Sequence, residues 1–251
     1  MNTILITGCS SGFGLETAKY FLERDWNVVA TMRNPREDVL PHSQQLRVLP
    51  LDVNDPESIG RAVAAAGPLD ALVNNAGFGA ASPFEAMPMA TIREVFETNA
   101  FGTMAVTQAV LPQFRARRAG VVVNVTSSVT IKSIPLIAAY TASKAAVNAF
   151  TESMALELAQ FGVRARLVLP GRSPSTRFAD NARARMQGLD HAAYAELVKG
   201  VFASFGESGP VTHAQDVAEA VWRAVTDPSS PMRIPAGADA IEWARDLAKA
   251  R

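Results

Sequence analysis

The sequence predicts an α/β fold, a doubly wound parallel sheet of about seven strands with helices on both faces. Three observations predict it. Apolar runs recur without polar alternation, amphipathic stretches fill the gaps between them, and a glycine-rich turn follows the first run directly. A parallel sheet covered on both faces needs strands that are apolar on both sides, and unbroken runs supply them.

In chain order the runs span residues 4–7, 27–31, 46–51, 71–74, 121–126 and 165–169, and a late strand is expected near Arg233-Ile234-Pro235-Ala236. Asp55 and Pro56 make an N-cap and first-turn pair, with Ile59 and Val63 four residues apart behind them. From Thr91 onward, Ile92, Val95, Phe96, Thr103 and Val106 share a stripe. Thr212 and Gln215 have capping-box spacing ahead of Val217, Val221, Trp222 and Val225. Strand and helix alternate with no repeat or linker, so one domain over 1–251 is expected. Residues 1–170 would carry most of the binding and chemistry, 171–212 a substrate lid, and 213–251 a helix, strand and tail. In such sheets ligands sit beyond the carboxyl ends of the strands.

Composition narrows the function classes. Lys plus Arg number 24 and Asp plus Glu number 24, so no basic excess points to nucleic acid or to a membrane surface. Cys9 is the sole cysteine, which excludes an internal disulfide and suits a reducing, cytoplasmic setting. His42, His191 and His213 lie far apart in sequence, so no metal site is expected. No apolar run reaches the roughly 18 to 20 residues of a membrane span.

The first run ends in Thr7-Gly8-Cys9-Ser10-Ser11-Gly12-Phe13-Gly14, ahead of a helix expected from about Leu15. Glycines allow the tight turn and let a pyrophosphate reach the N–H groups of the helix start. This Thr-Gly-x-x-x-Gly-x-Gly loop resembles that of the short-chain dehydrogenase/reductase family. Further motifs follow in the family's order: Leu51-Asp52-Val53, Asn74-Asn75-Ala76-Gly77, Thr98-Asn99-Ala100-Phe101-Gly102, Ser127, Tyr140-Thr141-Ala142-Ser143-Lys144 and Pro170-Gly171. The resemblance covers nearly the whole chain and implies a Rossmann-type sheet and an enzyme that acts on CH–OH groups with a nicotinamide cofactor. It also implies a dimer or tetramer, with subunit contacts through the helices around 91–118 and 138–161. On it, the cofactor contacts are Gly8, Ser10, Ser11, Gly12, Phe13, Gly14, Arg33, Asp52, Val53, Asn74, Ala76, Gly77, Tyr140, Lys144, Pro170 and Gly171. The catalytic group is Asn99, Ser127, Tyr140 and Lys144.

Tyr140 and Lys144 lie one helical turn apart on one face. A free phenol has a pKa near 10, too high for efficient proton exchange at neutral pH. A fixed ammonium nearby favours the phenolate, and a shift of about three units needs roughly 4 kcal/mol of differential stabilisation. Tyr140 is then the expected acid/base. By resemblance, Ser127 hydrogen-bonds the substrate oxygen, Lys144 also binds the nicotinamide ribose, and Asn99 supports a water leading from Lys144.

The second run ends Ala30-Thr31-Met32-Arg33. NAD-dependent members usually carry an acid near Met32, and none is present. Arg33 is placed to clamp a 2′-phosphate, with Ser10 adding a hydroxyl, so NADP(H) is expected over NAD(H). The substrate side is expected at Ser127, Ile134, Tyr140, Phe178 and Phe202. Thr176 comes a residue late for the family's contact with the nicotinamide amide. These apolar segments suit an apolar ketone, aldehyde or alcohol as small-molecule partner, under a lid that excludes water. Chain length and residues 233–237 resemble the branch that includes 17β-hydroxysteroid and retinol dehydrogenases. Two other readings stand beside this one: a non-catalytic NADP-binding sensor or scaffold, and an NAD-dependent alcohol dehydrogenase on the same fold.

Overall fold

A computed structural model of the chain describes residues 1–176, 182, 185–206 and 209–249. The strands are β1 Thr3–Thr7, β2 Asn27–Met32, β3 Leu46–Pro50, β4 Ala71–Asn74, β5 Gly120–Val125, β6 Val163–Pro170 and β7 Arg233–Ala236. All pair in parallel, in the order β3-β2-β1-β4-β5-β6-β7. The order reverses between β1 and β4, which opens a crevice at their carboxyl ends. Each expected strand is present, with ends displaced by a residue or two.

The helices are α1 Gly12–Leu22, α2 Pro56–Ala66, α3 Met89–Phe96, α4 Gly102–Arg117, α5 Ala138–Ala159, α6 Ala195–Gly206, α7 Ala214–Thr226 and α8 Ala238–Lys249. Side chains alternate across a strand, so the sheet fills two cores. Ile4, Ile6, Val28 and Val73 pack with α1 and α7 on one face. Leu5, Val29, Leu72 and Val122 pack with α2, α4 and α5 on the other. Among the described residues no helix is long and apolar enough to cross a membrane, and no cluster of metal-ligating side chains occurs.

Three expectations are corrected. First, α1 begins at Gly12, not near Leu15, so the last two glycines of the loop lie in its first turn. Second, the stripe from Thr91 is not one regular helix. A π-helical turn, Glu97–Phe101, separates α3 from α4 and shifts the register between Val95 and Val106. Third, the α7 cap sits one residue later than expected. The Asp216 carboxylate accepts the His213 N–H at 2.7 Å, while Thr212 is buried and bonded elsewhere.

Between β4 and β5 and the helices above them runs a chain of buried amides and hydroxyls. Asn74 donates to Thr107 and to Asn124, each at 2.8 Å, and Asn124 donates to Thr151 at 2.7 Å. Such a chain is costly to break once buried and ties α4 and α5 to one register on the sheet.

Gly8 has φ +76°, and a Cβ there would stand 2.9 Å from the Ala76 backbone. Gly8→Ala is therefore expected to destabilise the chain by about 1–2 kcal/mol from the left-handed backbone alone. A urea transition unchanged from the parent would show that the loop relaxes at no cost.

Candidate active site

The crevice at the β1/β4 split is a cleft of about 350 Å³. Thr7 and Asn75 build its floor. The Thr7 hydroxyl accepts the N–H groups of Asn75 and Ala76, each at 3.0 Å. The Asn75 amide donates back to the Thr7 carbonyl at 2.9 Å and the Gly8 carbonyl at 3.2 Å. The glycine loop and the 75–77 turn are thereby locked edge to edge.

The cleft is lined by Gly8, Ser10, Ser11, Gly12 and Phe13 from the loop, by Arg33, by Asp52 and Val53, by Ala76 and Gly77, and by Tyr140 and Lys144. Twelve residues expected from sequence thus converge on one cavity. Thr176 lines it too, closing against Gly12. Met32 is a buried wall residue at the end of β2, and Arg33 beside it is exposed.

Six expected cofactor and catalytic positions lie off the wall. Gly14 sits behind the loop, against the Gly8 carbonyl and Asn75. The Asn74 amide points into the buried polar chain between strands and helices. Pro170 and Gly171 end β6 beyond the cleft lining. Asn99 belongs to the π-helical turn. Its amide donates to the Phe78 carbonyl at 2.9 Å and to Ser143 at 3.1 Å, and its oxygen accepts the Phe78 N–H at 3.0 Å. It stitches the cleft wall to the residue next to Lys144, with its side-chain donors engaged. Ser127 also stands off the wall but bonds directly to Tyr140. Its oxygen further accepts the Val129 N–H at 3.3 Å.

Sequence reasoning missed Asn54, Phe78, Thr98, Val125, Thr126 and Arg185 on the wall. Asn54 and Thr98 bond to each other at 3.1 Å across 44 positions, which no local pattern reveals. Arg185 lies with its guanidinium 4.0 Å from the Phe78 ring centre and 3.6 Å from Glu94. On the expected substrate side, Ile134 is half-buried and Phe202 is 41% exposed on α6, and neither lines the cleft. Phe178 lies outside the described residues.

Burial governs the charges. Tyr140 is 7% exposed and Lys144 6%. Burial pushes the Tyr140 phenol up to about 12, against which its bond with Ser127 pulls down. Burial also lowers Lys144 to about 8, and its ammonium donates to the Val125 carbonyl at 3.0 Å. Burial is the larger effect on Tyr140, and the phenol is protonated at neutral pH. Cys9 is a packing residue, its thiol pushed up to about 12 by burial.

The pocket suits a dinucleotide. Ser11, the N-cap of α1, makes no side-chain bond to the helix, and the first turn carries no acid. The N–H groups of that turn are left for an anion at the positive end of the helix dipole. The family model described as short chain dehydrogenase matches residues 2–187. The chain belongs to the short-chain dehydrogenase family. It is 34% identical to human retinol dehydrogenase 8 over 92% of its length and 80% of that protein, consistent with the retinol dehydrogenase-like branch. A short-chain dehydrogenase from Streptomyces avermitilis superposes with a TM-score of 0.84 at 30% identity, covering 99% of this chain and 92% of the other. One from Burkholderia cenocepacia in complex with NADP superposes at 0.78 with 26% identity, covering 98% and 92%. As a short-chain dehydrogenase the protein is an oxidoreductase that uses a nicotinamide cofactor and acts on CH–OH groups.

Lys144 gives a pH signature. Below about pH 8 both folded and unfolded chains carry the ammonium, and the burial cost is fully present. Between about 8 and the ordinary 10.5 only the unfolded chain binds that proton, so folding gains stability as pH rises. The gain totals about 3 kcal/mol at ~1.4 kcal/mol per unit. Urea midpoints of the parent and Lys144→Met should therefore converge or cross in the parent's favour between pH 7.5 and 10. Parallel pH profiles would show that Lys144 titrates normally.

Proposed function

We propose that the protein is an NADP(H)-dependent oxidoreductase that interconverts a ketone or aldehyde and its alcohol on a fairly apolar substrate, with Tyr140 as acid/base. One observation carries this reading: Tyr140, bonded to Ser127, lines the same cleft as Lys144 and the glycine loop. The bound nicotinamide would supply or accept the hydride. Tyr140, protonated at neutral pH, donates its proton to the substrate oxygen in the reducing direction. Ser127 releases its bond to Tyr140 and holds that oxygen in place. Lys144 would hold the nicotinamide ribose, and its ammonium stabilises the phenolate left behind. In the reverse direction that phenolate takes the alcohol proton. Asn99 keeps the turn at Phe78 and the start of α5 in register with these groups.

The cofactor preference rests on Met32 and Arg33. Buried Met32 occupies the place where an acid would bind the ribose hydroxyls, and exposed Arg33 stands on the wall with Ser10. The Burkholderia structure with NADP supports the same choice. Apolar substrate is supported by the named activity of retinol dehydrogenase 8. The residues after Gly171, Phe202 included, would form the substrate lid. An outward groove lined by Phe101 of the π-helical turn and by Met104, Leu111, Phe150 and Met154 on α4 and α5 supports a homo-oligomer joined there.

Consumption of NADPH against a panel of apolar ketones and aldehydes tests the reading. Tyr140→Phe should lower kcat by about 10²-fold or more with dinucleotide binding retained. Turnover surviving in that variant would remove Tyr140 from its role, and dinucleotide binding without any turnover in the parent would favour a sensor. Arg33→Asp should weaken NADPH by roughly 1.5–3 kcal/mol and shift preference toward NADH. A parent that uses NADH and NADPH equally would sink the NADP assignment.

A further inference from the structure

Asp239 lies in the first turn of α8 and is 4% exposed, yet no step above uses it. A buried carboxyl is costly unless its oxygens are hydrogen-bonded, and here both are. Oδ2 accepts the Arg172 N–H at 2.6 Å, and Oδ1 lies 2.7 Å from the hydroxyl of fully buried Thr212. Thr212 in turn accepts the Gly171 N–H at 2.9 Å and stands 2.9 Å from the Ala236 carbonyl. Of the two consecutive N–H groups that follow Pro170, that of Gly171 is thus tied to the end of β7, through Thr212 and directly to the Ala236 carbonyl at 3.3 Å, and that of Arg172 to the first turn of α8. The fit leaves no slack, since a Cβ on Gly171 would overlap both carboxyl oxygens.

The anchored chain leads straight to the cleft. After Arg172 it turns at Ser173, whose carbonyl accepts the Thr176 N–H at 3.3 Å and the Thr176 hydroxyl at 3.0 Å. Thr176 then stands 3.6 Å from where a Cβ on Gly12 would be and forms cleft wall beside the glycine loop. The segment from Gly171 to Thr176 is therefore a short bridge. One end is fixed by Asp239 and Thr212, and the other closes on the loop.

We propose that Asp239 is a positioning residue for the cofactor cleft: by holding the Gly171 and Arg172 backbone it sets where Thr176 closes on the glycine loop. This rests on reading the cleft as the dinucleotide site. Asp239 itself does not line the cleft, so its effect passes through the backbone it holds. Hydrogen-bond geometry is what the site requires. A carboxamide of the same shape accepts from Arg172 N–H and donates to Thr212, whose hydroxyl then turns to Ala236. Asp239→Asn keeps both of the side chain's bonds, and Asp239→Ala loses both, leaving Thr212 to hold the segment alone with the backbone.

The test titrates the full chain with NADPH, well below each variant's thermal transition, with folding verified by circular dichroism. Asp239→Ala should raise the NADPH Kd by about tenfold or more, and should raise the cofactor KM far more than it lowers kcat. Asp239→Asn should stay within about threefold of the parent. Thr212→Val, which keeps the acid but removes the nearer of the two acceptors of the Gly171 N–H and the partner of Asp239 Oδ1, should raise Kd by about fivefold or more and carries the test if Asp239→Ala does not fold. Folded Ala or Val variants that bind like the parent would overturn the proposal. So would an Asn variant that loses as much as the Ala variant, because negative charge and not hydrogen-bond geometry would then be what the site requires. A parent that binds no NADPH would instead bring down the reading of the cleft on which this one stands.

Discussion

The hydrogen bonds between Thr7 and Asn75 are the constraint on which the rest of the site depends. β1 and β4 are neighbours, but the chain beyond them departs in opposite directions: the glycine loop rises into α1 while residues 75–77 lead toward the π-helical turn. Where strand order reverses, nothing in the sheet itself fixes the width of the crevice. The Thr7 hydroxyl and the Asn75 amide fix it with four bonds spanning 67 or 68 positions of sequence, or 69 at Ala76. Gly8 then sits so close to Ala76 that a side chain has no place. The crevice is held open by backbone and short polar groups, leaving its surface to the ligand.

Burial is the second organising effect, and it acts against charge. Tyr140 and Lys144 share one face of α5, but the sheet end beneath them excludes water from both. Desolvation penalises phenolate and ammonium alike, raising one group and lowering the other. The result is a protonated phenol that burial makes a weaker acid, beside an amine that deprotonates more readily than a free lysine. Charge arriving with a cofactor changes that balance, because a low-dielectric site makes every added charge count. Spacing along a helix shows that two groups can meet. It does not show how much water they lose in meeting, and that loss decides the protonation state.

The same distinction separates what the sequence made legible from what it did not. Unbroken apolar runs identified the strands to within a residue or two, since period and composition are local properties. The glycine loop and Asn75-Ala76-Gly77 converge on the cleft because each motif sits where a strand ends, and the Tyr140–Lys144 pair because the first turns of α5 pack over the end of β5. Asn74 and Asn75 show the limit. They are adjacent, but the side chains of neighbouring strand residues face opposite ways, so one joins the buried chain to Thr107 and the other builds the crevice floor. The π-helical turn was illegible because an inserted residue leaves the apolar stripe nearly intact while rotating everything after it. Thr212 looked like a helix cap by spacing, and the contact that employs its hydroxyl lies 27 positions away at Asp239.

The substrate side follows from this as the least legible part. Most of the expected cofactor contacts sit at strand ends, and strand ends are fixed by the sheet. The segment beyond Gly171 is tied to β7 and α8 through Gly171, Arg172, Thr212 and Asp239 before it reaches Thr176, and Phe202 rides on α6 well past that anchor. Its apolar residues recur without a sheet to set their direction, so composition shows that the surface is greasy and not which side chain meets a ligand. Divergence of substrate at constant chemistry is what such an arrangement permits. Lys144 is held against the end of β5 and Tyr140 against Ser127 just beyond it, whereas no strand sets the direction of the residues expected on the substrate side.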